Sequence, residues 1–257
     1  MARSSYKTEA IVLRKTKLGE TDLILTLLAC DGSQLRAVAK GARKPSNTFA
    51  ARLELYSVAE ILCSEGKNLD IIKEARLMQG NIKLRSSIEY STGAAPMAEL
   101  LDKVTQKGLC DERLFQMTKR AFFVLDHAEI SSIPALCAAH LLKTLAFCGL
   151  RPSFSHCVCC GNETTDNSSG EYVRISYLEG GLVCNNCASQ LDTIVFDSAI
   201  LSWAHYLLKT SFSDIEEKSV DINLAFEILH FCQSWIKEHI GSQLKSLHFV
   251  FNSGLYE

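Results

Sequence analysis

Two short cysteine runs, Cys157-Val158-Cys159-Cys160 and Cys184-Asn185-Asn186-Cys187, are the residues of this chain best suited to inorganic chemistry. Each offers two thiols separated by two residues, and 23 residues lie between the runs. Two such turns can set four sulfurs at the corners of a tetrahedron, the geometry that Zn²⁺ accepts. Four thiolates fill the coordination sphere and leave no position for a water, so one such ion is structural rather than catalytic. Cys157 and Cys160 are the preferred first pair, because a two-residue gap lets both sulfurs face one ion, and Cys159 then points away. His156 in place of Cys157 is the alternative ligand, and a pair of disulfides is the alternative chemistry. Gly161 follows the first run, where a knuckle turn calls for a left-handed residue. Gly180 and Gly181 suit a tight turn before the second, and residues 172–178 alternate like a strand. Together these features predict a zinc ribbon.

Other chemistry lacks its residues. The chain contains no G-x-x-x-x-G-K-[ST], no G-x-G-x-x-G and no H-E-x-x-H. Its seven histidines are scattered, and His127, His140, His205 and His230 fall within apolar helical patterns. No nucleophile–base constellation is visible, so no catalytic residues are assigned and the chain is not expected to be an enzyme.

The elements that must position the cysteines change character along the chain. Residues 8–76 carry five short β patterns, at 8–13, 22–28, 34–39, 56–63 and 69–75, with an Asp31-Gly32 hairpin signal and one long polar connection over residues 40–48. That pattern fits a small barrel such as the OB-fold. From about residue 80 the apolar period becomes helical, with helices expected near 82–104, 114–125, 136–146, 198–208 and 223–239. Pro96 and Pro134 suit helix starts or kinks, Gly241 a helix end, and residues 166–170 a polar loop. The fold class is therefore α+β. An N-terminal OB-fold barrel spans residues 1–79, and an α-helical domain spans 80–257 with a zinc-ribbon insertion at about 153–190. The apolar stretch 133–150 is broken by His140 and Lys143 and reads as a buried helix, so no membrane span is expected. No signal-peptide pattern opens the sequence. The cysteines outside the zinc set sit mostly in apolar surroundings without a pairing pattern, as in a reducing cytoplasm.

The net charge of −2 conceals an asymmetry. Residues 1–80 hold 13 Lys+Arg against 9 Asp+Glu, residues 81–152 hold 9 against 7, and residues 153–257 hold 5 against 13. A basic front implies a polyanionic partner. Lys40, Arg43 and Lys44 lie in the long connection, with Arg36 before and Arg52 after. Arg14, Lys15 and Lys17 are expected in the first inter-strand loop. These eight are the candidate DNA-binding residues, arranged as a phosphate track. Before residue 80 only Tyr6, Phe49 and Tyr56 are aromatic, so phosphate contacts should outweigh base stacking.

At this point the chain resembles the bacterial recombination mediator RecO family. The resemblance rests on Ala10-Ile11-Val12-Leu13, Leu18-Gly19-Glu20-Thr21-Asp22, Ala39-Lys40-Gly41-Ala42-Arg43-Lys44, and Cys157/Cys160 with Gly180-Gly181 and Cys184/Cys187. It covers nearly the whole chain. The extra thiol of Cys159 departs from the family's usual knuckle. The resemblance implies binding of single- and double-stranded DNA, annealing of complementary strands, and loading of RecA, together with RecR, onto DNA coated by single-stranded-DNA-binding protein. It also implies a cytoplasmic, nucleoid-associated bacterial protein whose helical domain docks the acidic, apolar C-terminal tail of single-stranded-DNA-binding protein. Such a tail needs an apolar groove with a cationic rim. Arg113, Lys119, Arg120, Lys143 and Arg151 are candidates for that rim, Lys119 and Arg120 foremost, and Leu114, Phe122, Phe123, Leu142 and Phe147 for the lining, the alternative being that these apolar residues simply form the core. The alternative is a zinc-stabilised adaptor that contacts only proteins, and a zinc hydrolase comes last because no water site is visible.

Overall fold

A closed five-stranded barrel opens the chain. The computed structural model describes residues 4–44, 47, 49–164 and 172–256. The polar loop expected at 166–170 lies outside the described residues, as do Pro45, Ser46 and Thr48 of the long connection. The strands are β1 (Ser5–Leu18), β2 (Asp22–Ala29), β3 (Gln34–Ala39), β4 (Val58–Ser64) and β5 (Asp70–Gln79). They join in the order β1-β2-β3-β5-β4, and β4 closes back on β1. Every pairing is antiparallel except β3 with β5, which runs parallel from Ala37↔Asp70 to Ala39↔Ile72. This is the OB-fold expected from the sequence. Alternation along each strand sends one row of side chains inward. Val12, Leu25, Leu27 and Ile61 fill the interior, with Ala10, Ala37, Ala39 and Ala59 where the narrow barrel has least room.

The β2–β3 hairpin turns at Asp31-Gly32. Gly32 has φ +84°, and a Cβ at this position would come within 2.1 Å of the Asp111 carbonyl oxygen. Backbone conformation and space both restrict the site to glycine.

Strand β1 is longer than its sequence pattern implied. Arg14, Lys15 and Lys17 were expected in an inter-strand loop. They lie instead on the strand, opposite Thr26, Leu25 and Leu23 of β2, beyond a register shift between Val12 and Arg14. Thr16, Lys17 and Leu18 are all exposed there. Where a hairpin end has water on both faces, charge no longer marks a loop.

Three helices complete the unit that ends at His127: α2 (Lys83–Ser86), α3 (Ile88–Val104) and α4 (Glu112–His127). The single turn α1 (Phe49–Arg52) interrupts the long connection. Helix α3 packs against β1. Gln34 Nε2 donates to the carbonyls of Asp102 at 3.0 Å and Thr105 at 3.2 Å, satisfying groups that the end of α3 leaves open. From α4, Phe122 meets Tyr56 edge-on with centroids 5.5 Å apart.

The second compact unit begins at Ala128. Its centre is α5 (Ile133–Phe147), packed by α6 (Ser198–Lys209), α7 (Phe212–Lys218) and α8 (Ile222–Ile240). By length and composition the stretch Ile130–Phe147 could cross a membrane, but 72% of it is buried inside the protein. A helix that is apolar all round and covered on all sides is a core helix. Between α5 and α6 a small sheet is inserted, β6 (Tyr172–Ser176), β7 (Gly181–Val183) and β8 (Ile194–Asp197), in the order β7-β6-β8. Asp197 caps α6, and Gly241, at φ +69°, closes α8. Helix α9 (Lys245–Asn252) ends the described fold.

His140 lies fully buried on α5, and burial, with Lys143 nearby, lowers its pKa to about 3. The folded protein therefore holds it neutral, whereas an unfolded imidazole takes a proton near pH 6.5. Its stabilising contribution is complete above pH 6.5 and is lost as pH falls toward 3, by up to about 1.4 kcal/mol per pH unit. In denaturant titrations between pH 6.5 and 4.5, His140→Gln should lose roughly 2 kcal/mol less stability than the parent. Parallel pH profiles would overturn this assignment.

Candidate metal centre and basic barrel wall

The inserted sheet carries the two cysteine runs at one end. Gly161 donates its N–H to the Cys157 carbonyl at 2.9 Å and has φ +75°, the left-handed turn expected there. In the second run Cys187 N–H reaches the Cys184 carbonyl at 3.0 Å. The runs are held together by Val158 N–H to the Leu182 carbonyl at 2.8 Å. Cys184 N–H points at Cys157 Sγ, 3.3 Å away.

The result is one cluster. The Sγ atoms of Cys157, Cys160, Cys184 and Cys187 all lie within 4.8 Å of one another, and Cys160 and Cys184 are 3.8 Å apart. Sulfurs tetrahedrally placed about 2.3 Å from one zinc are separated by about 3.8 Å, so the donor set and its spacing fit that ion. Cys159 is exposed and outside the set, and His156 instead faces Glu163 at 3.8 Å. Burial opposes ionisation of Cys157, but N–H donors from Cys184, Cys160 and Cys159 outweigh it and bring the thiol down to about 6, whereas the Cys184 and Cys159 thiols push Cys187 up. Donated N–H groups favour the thiolate form in which cysteine binds metal.

An aromatic cluster fastens the base of this insertion to α8. Phe154, Tyr177 and Phe196 each lie within 5.9 Å of Phe231, centroid to centroid, and Tyr177 is also 5.9 Å from Trp235. Trp235 Nε1 in turn donates to the Leu150 carbonyl at 2.9 Å.

Of the eight candidate cations all but Lys15 are exposed, and they differ in the partners that tie them. Arg14, Thr26 and Arg36 form one cross-strand row, and Thr16, Ile24 and Val38 form the next, both on the outer wall of β1-β2-β3. Lys17 and Lys40 stand at the end of the same strands, since Lys17 shares the inward-facing row of Leu23 and Ala39 where the barrel ends, and Lys40 follows Ala39. Lys17, Arg36, Lys40 and Lys44 are exposed. Arg14 binds Asp102 at 2.8 Å and Lys15 binds Glu54 at 2.9 Å. Arg43 bridges the turn between β1 and β2, donating Nη1 to the carbonyls of Gly19 at 3.1 Å and Glu20 at 2.8 Å. Its backbone N–H reaches the Thr21 carbonyl, and Gly41 N–H reaches Asp22 Oδ1 at 2.7 Å. That N–H lowers the pKa of Asp22, helped by the Thr21 hydroxyl, Lys40 and Lys44. The two sequence stretches 18–22 and 39–44 thus meet in space, and Arg43 serves chiefly to hold them. Arg52 lies elsewhere, donating to the Ala75 carbonyl at 3.1 Å beside β4 and β5.

Of the three early aromatics, Tyr56 is buried, while Tyr6, which donates its hydroxyl to Asp70, and Phe49 are both half-buried and packed against the barrel core. On α4, Lys119 pairs with Glu9 at 2.6 Å, and the Arg120 guanidinium lies over the exposed Phe123 ring at 5.5 Å. Lys119, Arg120 and Phe123 line a shallow hollow of about 290 Å³. Leu114, Phe122 and Leu142, suggested as groove lining, are core residues instead.

A barrel of OB topology and a helical part carrying four clustered thiols that could hold a metal ion define a class of small-barrel proteins with a cysteine knuckle. Comparison with known families makes that class specific. Residues 1–81 match the model described as Recombination protein O N terminal, and residues 85–248 match Recombination protein O C terminal. The chain belongs to the RecO family, whose role lies in DNA repair and recombination. It is 29% identical over 236 residues to DNA repair protein RecO of Alkaliphilus metalliredigens, covering 91% of this chain and 93% of that one. It is 28% identical to the protein of the same name from Thermoanaerobacter sp. strain X514, covering 96% and 97%. For the Nocardioides sp. strain JS614 protein, also named DNA repair protein RecO, the figures are 34% identity, 71% and 74%.

Proposed function

We propose that this protein is a DNA-binding, non-enzymatic recombination mediator. In this reading it binds single- and double-stranded DNA, anneals complementary strands, and with RecR helps load RecA on strands coated by single-stranded-DNA-binding protein. The observation that carries the proposal is the outer face of β1-β2-β3, where Arg36 is exposed beside half-exposed Ile24 and Val38, with exposed Lys17, Lys40 and Lys44 gathered at its end. Cations in this arrangement neutralise phosphates, and with no exposed ring among them base preference should be weak. Shielding phosphates on two strands lowers their repulsion, so annealing needs no nucleotide hydrolysis. Family membership supports the same role, and the work of such a protein belongs at the nucleoid in the cytoplasm.

Residues 1–79 are assigned to DNA and residues 80–257 to structure and partners. The C-terminal tail of single-stranded-DNA-binding protein would rest on Phe123 with Arg120 at its rim, while Lys119 would have to leave Glu9 to join. One zinc ion, held by Cys157, Cys160, Cys184 and Cys187, would cross-link the insertion and supply no reaction chemistry. Elemental analysis of reduced protein should find about one zinc per chain. The functional test is annealing of complementary oligonucleotides without ATP, alongside salt-titrated binding to single strands. Absence of binding at low salt would overturn the proposal.

A further inference from the structure

On the opposite wall of the barrel, strands β4 and β5 and the first half of β1 form an open groove of about 600 Å³. Its floor follows from the register. Lys7 pairs with Leu62 and Leu62 with Glu74, while Glu60 pairs with Arg76. Four cations line it, Lys7, Arg52, Lys73 and Arg76, against two carboxylates, Glu60 and Glu74. All four cations are exposed. Arg76 reaches Glu60 at 3.4 Å, a surface pair of small energetic weight. Lys7 and Lys73 make no ion pair among the described residues. Phe49 sits at the rim, and Asn47 beside it donates Nδ2 to the Lys40 carbonyl at 3.1 Å. The groove therefore begins where the Lys40–Lys44 turn ends, and it shares with the wall bearing Arg36 only β1, of which it uses the other half.

We infer that this groove is a second single-strand subsite, which receives the complementary strand while the first is held on β1-β2-β3. The inference rests on the proposed DNA-binding function and extends it. An excess of two positive charges and an open channel, with the half-buried Phe49 ring at its rim, match a single nucleic-acid strand. Such a subsite recruits a strand by phosphate contacts weak enough to release it as the duplex forms. Two walls of one barrel would then bring two strands together, with the turn at residues 40–44 at their junction.

The test uses the full chain with a charge-neutral triple variant, Lys7→Gln, Lys73→Gln and Arg76→Gln, all exposed positions, and short fluorescent oligothymidylates as the probe. The parent should bind about two oligomers per chain at low salt, and the variant about one with first-site affinity within about twofold. Annealing of complementary strands by the variant should fall at least about tenfold. Two oligomers on the variant, or unchanged annealing, would overturn the inference while leaving the DNA-binding function intact. Loss of all binding by the variant, with circular dichroism and melting unchanged, would also overturn it, because the groove would then be the primary site. No binding by the parent would defeat the underlying function itself.

Discussion

Replacement of Cys184 by serine should reduce bound zinc from about one equivalent to below about a tenth, the largest effect expected of any single substitution here. Structural tetrathiolate sites hold zinc with roughly 10–16 kcal/mol of apparent binding energy in small peptides, and that energy is coupled to local folding. Cys184 contributes twice, since its Sγ is one of the four donors and its N–H supports Cys157 Sγ at 3.3 Å. The knuckles should therefore loosen and become susceptible to proteolysis within residues 153–164 and 181–190. The base of the insertion should hold, because Tyr177 and Phe196 remain packed on Phe231 through contacts that need no metal. Cys159→Ser is the matched control, as Cys159 lies outside the cluster, and it should keep its full equivalent of metal. Zinc loss in Cys159→Ser together with zinc retention in Cys184→Ser would show that the sulfurs are used in another register.

The clustering of the four cysteines could be read in advance because its geometry is local. A two-residue gap and a following glycine decide where two sulfurs point, and each knuckle closes on its own backbone hydrogen bonds. The barrel strands could be read for a similar reason, since alternation is a property of neighbours in sequence. Four elements escaped notice: α1, α7, β8 and α9. Helix α7, Phe212–Lys218, has only seven residues and just two buried side chains, too few to show a period. Strand β8 has four residues, of which Phe196 alone is even half-buried among its apolar members, so its pairing with β6 leaves almost no trace in alternation. The state of the cations was illegible for a different reason. Arg14 meets Asp102 across 88 positions, Lys15 meets Glu54 across 39, and Lys119 meets Glu9 across 110. Such pairings are set by the tertiary fold, and a basic run reads the same in sequence whether its charges are exposed or matched. Only the fold shows that Arg43 spends its guanidinium on the carbonyls of Gly19 and Glu20.

That division yields the second large effect. A quadruple variant, Lys17→Gln, Arg36→Gln, Lys40→Gln and Lys44→Gln, should flatten the slope of log affinity against log salt on single-stranded DNA by about 3, since each neutralised phosphate contributes about 0.7. At 0.1 M salt the same term lowers affinity by roughly two to three decades. The double variant Arg14→Gln, Lys15→Gln carries half as many substitutions but should flatten the slope by much less than half as much, because both side chains already face carboxylates at 2.8 and 2.9 Å. A phosphate would have to displace those partners before releasing any counterion on their account. Arg43→Ala belongs to a third category. Its slope change should stay below about one unit, while the turn it clamps becomes more mobile and weakens Lys40 and Lys44 indirectly. Equal slope changes per residue across all three variants would mean that DNA binding rearranges the ion pairs of the barrel. An unchanged slope in the quadruple variant would remove the β1-β2-β3 wall from the DNA interface. In that case the four exposed cations would be an ordinary solvated surface, and binding would have to be sought on the β4–β5 side.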